Sequence, residues 1–113
     1  MDTVIITGSK GLIGSELTKL MKEKYRLVEL SKSLGHNLTD ENFVCEYFSN
    51  IDAEYLVNCF GYNDHINDSR ENVNIMDVKL ESINKFLKVN VLALFSVCRE
   101  FATVSYTHLT LPT

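Results

Sequence analysis

Apolar residues fall into short blocks divided by polar turns, and the spacing inside the blocks changes along the chain. Thr3-Val4-Ile5-Ile6-Thr7 is a short β-branched run without alternation, the pattern of a strand buried on both faces. The next block repeats Leu12, Leu17, Leu20 and Met21 against Glu16, Lys19, Lys22 and Glu23, which predicts an amphipathic helix ending near Lys24. Tyr25 to Leu30 reads as a second strand. Thr39 suits the N-cap of a helix carrying Phe43, Val44, Tyr47 and Phe48. Tyr55 to Phe60 reads as a third clear strand, closed by Gly61, with a weaker strand near Gly35 to Leu38. Residues 62–74 are polar and aperiodic and predict a loop. From Met76 to Phe101 the period is helical again, through Ile83, Phe86, Leu87, Val91, Leu94, Phe95, Cys98 and Phe101, in keeping with two helices meeting near Leu87. Strands alternating with helices predict an α/β fold, a doubly wound parallel sheet with helices on both faces.

Composition narrows the class. The 113 residues suit one small domain, and 45% hydrophobic with 23% charged residues is ordinary for a globular chain. A net charge of −4 gives no basic footprint for nucleic acid. The early apolar run Val4-Ile5-Ile6 is too short for a signal peptide or a membrane span. Cys45, Cys59 and Cys98 form no C-x-x-C pair, which predicts reduced thiols in a cytoplasmic protein. No metal-ligand spacing is present. His65 lies in the polar loop, which reads as a solvated insertion more readily than as one wall of a substrate site.

The candidate chemistry begins at TGSKGLIG, Thr7 to Gly14, between the first strand and the first helix. A strand feeding a helix aims unbonded backbone N–H groups and the positive end of the helix dipole at one point, where an anion binds. Gly8 suits the tight turn, Gly11 the close approach of a pyrophosphate, and Gly14 close packing of the helix on the sheet. Ser9, Lys10 and Ile13 complete the candidate turn. The plainer alternative is an ordinary glycine turn.

Over residues 3–102 these segments resemble the short-chain dehydrogenase/reductases. IITGSKGLIGSEL resembles that family's coenzyme fingerprint. HNLTD resembles its D-L/V-T/S-D segment with Asn37 in place of Asp. LVNCFG resembles its N-N-A-G segment, matching at Asn58 and Gly61 and departing at Cys59 and Phe60. KVNVLALF resembles its V-N-x-x-G-x-F helix with Ala93 at the usual glycine. The resemblance implies a Rossmann-type sheet, here truncated after the helix carrying Asn90. It implies adenine contacts from the Asn37 side chain, through its carbonyl oxygen, and from the Leu38 backbone. It also implies nicotinamide-side contacts near Asn58, Phe60 and Gly61. Asn90 corresponds to a catalytic asparagine that holds a proton-relaying water. Read from the residues alone, a single Asn in an apolar helix is a buried group bonded to backbone. The spacing G-x-x-G-x-x-G is similar to that of the family's extended branch, which works on nucleotide sugars. The N-C-F-G and V-N-V-x-A-x-F segments are closer to the short branch, and a short or atypical short enzyme is the favoured reading.

NAD-preferring sites place an acid at the tip of the second strand, against the ribose hydroxyls. Here the strand ends Leu30-Ser31-Lys32-Ser33, and Glu29 comes one or two positions early. Ser31, Lys32 and Lys10 suit a 2′-phosphate instead, so NADP is expected over NAD. The alternative is that both lysines are solvated surface charges.

The final ten residues, VSYTHLTLPT, break the pattern. The family's catalytic Tyr is followed four residues later by Lys and preceded about a dozen residues earlier by Ser. Tyr106 is followed by Thr110, and Ser105 adjoins it, so neither fits. The decapeptide resembles the in-frame translation of a transposase-type sequencing adapter. The expected division is therefore residues 1–103 as the N-terminal part of an NAD(P)-binding Rossmann domain and residues 104–113 as a non-native tail. A natural strand over Val104 to Leu111 is the alternative. The parent protein is expected to be an NADP-dependent, homo-oligomeric oxidoreductase acting on a small carbonyl or alcohol. These residues alone are expected to be poorly soluble and inactive. The alternatives are an extended-branch epimerase or dehydratase and a non-catalytic dinucleotide-binding regulator.

Overall fold

The computed structural model describes residues 1–62 and 75–109. Most of the polar loop, His65 included, lies outside the described residues. A parallel sheet of three strands runs in the order β2-β1-β3, with β1 at Thr3–Thr7, β2 at Arg26–Leu30 and β3 at Tyr55–Asn58. Ile5 pairs with Val28 on one side and Leu56 on the other. All five residues of β1 are buried, as its unbroken β-branched run predicts for a central strand. The helices are α1, Leu12–Met21, and α2, Glu41–Ser49, then α3, Leu80–Leu87, and α4, Leu94–Leu109. A π-helical stretch, Lys88–Ala93, joins the last two. The junction sits where the sequence places it, next to Leu87. The result is a Rossmann-type α/β fold.

The core lies on one face of the sheet, where Ile5 and Leu30 meet Val44 and Phe48 of α2 and Ala93 and Val97 from the last helical segments. Val4 and Ile6 have the opposite parity and are buried on the other face, where α1 returns along β1. Each such buried aliphatic or aromatic side chain contributes roughly 1.5–3 kcal/mol relative to exposure. Arg99 of α4 ties the two helices together at their surface, its guanidinium 3.0 Å from Glu41 Oε1.

Several boundaries differ from the periodicity. α1 stops at Met21, whose carbonyl accepts from the N–H groups of both Lys24 and Tyr25. The cap of α2 is Asp40, not Thr39, because Asp40 Oδ1 reaches the Phe43 N–H at 3.2 Å. Gly35 to Leu38 forms no strand. Gly35, at φ 88°, reverses the chain after a 3-10 turn over Lys32–Leu34. β3 ends at Asn58, although Cys59 N–H still donates to the Thr7 carbonyl at 2.9 Å. α4 does not stop near Phe101 and continues to Leu109, so no strand forms at Val104 to Leu109. The chain has no Gly or Pro between Phe101 and Leu109, and Thr103 Oγ1 donates to the Arg99 carbonyl at 2.8 Å within the helix. The apolar stripe of α1 is left largely uncovered among the described residues, with Leu12 89% and Leu20 77% exposed.

Candidate functional site

The turn after β1 is held by β2. The N–H groups of Gly8 and Ser9 both donate to the Leu30 carbonyl, at 2.8 and 3.3 Å, so they are spent inside the protein. Gly8 has φ 67°, and a Cβ there would stand 2.6 Å from the Cys59 carbonyl carbon and the Phe60 nitrogen. Glycine is therefore required twice, for the left-handed backbone and for the close passage of the Cys59-Phe60 backbone that follows β3. Gly14 is closed by the turn and not by the sheet, since a Cβ would overlap the Gly8 carbonyl and approach Ser9. Gly11 is different: a Cβ there would meet only the Gly8 oxygen, at 3.4 Å, and otherwise project into open space.

Gly11 is also the N-cap of α1, and no side chain caps it. Among the described residues, no acceptor is bonded to the N–H groups of Lys10, Leu12, Ile13 or Gly14. Unpaired amides at a helix N-terminus carry about half a positive charge and favour an anion.

This mouth opens on a cavity of about 790 Å³ at the carboxyl end of the sheet. Eight predicted residues line it: Gly8, Gly11, Ser31, Lys32, Asn37, Leu38, Phe60 and Gly61. Six do not. Ser9 is buried beneath the turn with its hydroxyl unpaired among the described residues. Ile13 is 71% exposed, and Gly14 packs on Gly8. Lys10 turns to Glu29, its Nζ 3.4 Å from Oε1. Asn58 accepts from Thr7 Oγ1 at 2.8 Å and donates to Cys98 Sγ at 3.5 Å, tying the strand ends to α4. Asn90 closes a two-way bond with the backbone of Tyr62, accepting from its N–H at 2.8 Å and donating to its carbonyl at 2.7 Å.

Asn37 lines the cavity with its polarity reversed from expectation. Its Oδ1 accepts from both the N–H (3.1 Å) and the hydroxyl (2.6 Å) of Thr39, which uses both lone pairs. The Asn37 amide NH₂ is the group left with hydrogen-bonding capacity, and it can only donate.

The family assignment follows from a match over residues 4–104 to the model of the "NAD dependent epimerase/dehydratase family". The chain belongs to this family. Among solved structures, this epimerase/dehydratase chain is similar to a small-chain dehydrogenase at TM-score 0.76 and 19% identity, over 91% of this chain and 53% of that one. It is similar to a small-chain dehydrogenase in complex with NADPH at 0.75 and 19%, over 91% and 45%. A third is dTDP-4-dehydrorhamnose reductase from Bacillus anthracis in complex with NADP, at 0.70 and 21%, over 92% and 33%. The chain thus spans about half the length of the first two. No curated protein matches it.

Sequence reasoning missed part of the cavity wall. Glu81, Asn84, Lys85 and Lys88 line it from α3 and the π-helical stretch. Their spacing is one helical stripe, the signal that could have found them. Lys85 Nζ also lies 4.3 Å from the centre of the Tyr62 ring. His36 and Cys59 line the cavity as well, and burial pushes the Cys59 thiol above its ordinary pKa. Among the described residues no His/Cys/Asp/Glu cluster could hold a metal, and no helix is long and apolar enough to cross a membrane.

Proposed function

We propose that this chain is the coenzyme-binding part of an NADP-dependent oxidoreductase of the short-chain dehydrogenase/reductase type. The observation that carries the reading is the uncapped start of α1 at Gly11, facing a cavity whose rim holds Ser31 and Lys32. The residues fit a phosphorylated dinucleotide. The unpaired amides and the space above Gly11 suit a pyrophosphate. The tip of β2 offers a hydroxyl and a cation, and the nearest strand carboxylate, Glu29, is drawn to Lys10. Asn37 and Leu38 would hold the adenine end, and Phe60 and Gly61 the nicotinamide side. The coenzyme, when bound, supplies or accepts a hydride against a small carbonyl or alcohol. Two of the similar structures are complexes with NADPH or NADP, which supports the choice of phosphate form.

Asn90 retains one amide hydrogen and one lone pair after its bonds to Tyr62, enough to hold one water. In this reading it positions a relay water, while the acid–base Tyr, Lys and Ser come from elsewhere in the parent enzyme. Tyr106 is not among them, since Thr110 stands where Lys is needed. These residues alone therefore bind coenzyme without turnover. We place the parent in the cytoplasm as a homo-oligomer, and residues 104–113 outside the native chain. The end of the family match at residue 104 supports that boundary, and the nucleotide sequence across codons 103–113 tests it.

The second reading, an extended-branch enzyme on nucleotide sugars, is favoured by the name of the matching family and by the G-x-x-G-x-x-G spacing. A calorimetric titration tests the main proposal. NADPH is expected to bind more tightly than NADH, and heat from neither would overturn it. Titration with a nucleoside-diphosphate sugar separates the two branches.

A further inference from the structure

The turn bearing Ser31 and Lys32 is fastened by one side chain, His36. Its ring Nδ1 accepts the Ser31 N–H at 3.0 Å, while its own backbone N–H donates to the Ser31 carbonyl at 3.0 Å. Ser31 is buried, so without the ring its amide would be left without an acceptor. Both bonds close the loop around Gly35, whose left-handed backbone makes the reversal. Inside the loop, Ser31 Oγ accepts the Ser33 N–H at 3.3 Å and lies 3.0 Å from Ser33 Oγ, which brings two hydroxyls together beside Lys32. The ring is itself fixed by α2. It stacks on Phe43 at 5.9 Å and 25° and meets the edge of Tyr47 at 5.5 Å and 63°. His36 also lines the cavity.

We infer that His36 is a positioning residue that sets the preference of this site for the 2′-phosphorylated coenzyme. It clamps the Ser31–Ser33 turn through the Ser31 amide and transmits the rigidity of α2 to it. The inference rests on the proposed NADP reading. A dinucleotide without the 2′-phosphate makes no demand on the hydroxyls and cation of this turn, so its affinity does not depend on the clamp. The phosphorylated form does depend on it.

The decisive measurement is the ratio of NADPH to NADH dissociation constants. His36→Phe keeps an aromatic ring for stacking but has no acceptor. It is expected to weaken NADPH about tenfold, the order for one orphaned buried amide, and NADH less than about twofold. His36→Asn places a carbonyl oxygen near the Nδ1 position and is expected to restore most of the NADPH affinity. A His36→Phe chain with an unchanged ratio, or an Asn variant as weak as Phe, overturns the inference. If the unaltered chain binds neither coenzyme, the NADP reading fails and the clamp falls with it. Should a variant fail to fold, nitrogen NMR of the unaltered chain decides. The His36 Nδ1 signal is expected to move on adding adenosine 2′,5′-bisphosphate and to stay within a tenth of that shift with adenosine 5′-monophosphate. Equal shifts overturn the inference.

Discussion

Adding one methyl group at three glycines of the same turn should give sharply different results. Gly8→Ala forces a left-handed residue to carry a Cβ, at about 1–2 kcal/mol. It also drives that Cβ to 2.6 Å from the backbone of Cys59 and Phe60, which cannot swing aside as a side chain would. Overpacking of this kind costs about 1–3 kcal/mol, so the sum is roughly 2–5 kcal/mol. With a urea m-value of about 1–2 kcal/mol per molar, the unfolding midpoint falls by at least about 1 M. Gly14→Ala belongs with it, because α1 must back away from the Gly8 carbonyl, and the gain of about 1 kcal/mol in helix propensity does not offset that. Gly11→Ala does neither. Its backbone, at φ −77° and ψ −179°, accepts alanine, and the nearest atom to the new methyl is 3.4 Å away. The entropy gained from a stiffer unfolded chain and the weaker N-cap roughly cancel, so the midpoint stays within about 0.5 M. What changes is ligand access. A methyl over the unpaired amides displaces a pyrophosphate, and NADPH affinity drops at least about tenfold, or ~1.4 kcal/mol. Urea denaturation and calorimetric titration of the three variants check this. A Gly11→Ala chain that keeps its fold and binds NADPH like the unaltered chain would show that no phosphate sits there. One that unfolds alongside Gly8→Ala would refute the geometry of the turn.

Lys10→Met frees the Glu29 carboxylate and is expected to weaken NADPH up to about fivefold, while Glu29→Gln frees Lys10 and strengthens it by a similar factor. The size follows from a partly exposed ion pair worth about 0–1 kcal/mol, and 1 M salt should compress both effects in titrations. Asn90→Ala removes both bonds to the Tyr62 backbone and should cost about 2–4 kcal/mol, read as a fall in melting temperature of roughly 10 °C or more by circular dichroism. Phe48→Ala empties the centre of the core and should cost about 3–5 kcal/mol in urea. Burial raises the Cys59 pKa, so its stabilising contribution is present at neutral pH and is lost as pH rises through the raised value. Cys59→Ser should flatten that alkaline loss in melting curves, and mass spectrometry should find little alkylation of Cys59 at pH 7.

The elements that could be read from the chain are those whose pattern has one physical cause. β1 is a run of β-branched residues because both of its faces are covered and both of its edges paired. The failures occur where two causes compete. Thr39 and Asp40 are both good caps, and the choice goes to Asp40 because the Thr39 hydroxyl is already given to Asn37. The end of the apolar period near Phe101 marks the end of core contact, not the end of hydrogen bonding, so α4 runs on to Leu109. α1 shows the converse: its apolar stripe is periodic, yet Leu12 and Leu20 remain exposed. Periodicity reports which face is apolar and does not name what covers it.

The site divides along a similar line. Backbone features such as the positive φ of Gly8 and the uncapped start of α1 follow from residue type and order, so the sequence carries them. Side-chain destinations do not. Lys10 and Lys32 look alike in the sequence as candidate phosphate cations. The structure separates them, because Glu29 faces the α1 side of the sheet and draws Lys10 there, while Lys32 stays on the cavity rim. Asn37 and Asn90 look like ligand-facing amides, yet Thr39 takes one carbonyl oxygen and Tyr62 takes one of each group on the other. Those bonds leave Asn37 as a donor and leave Asn90 room for one water. For Asn90 the bonds to Tyr62 are compatible with the proposed relay: the two bonds fix the amide, and the proposed relay water would need a fixed amide.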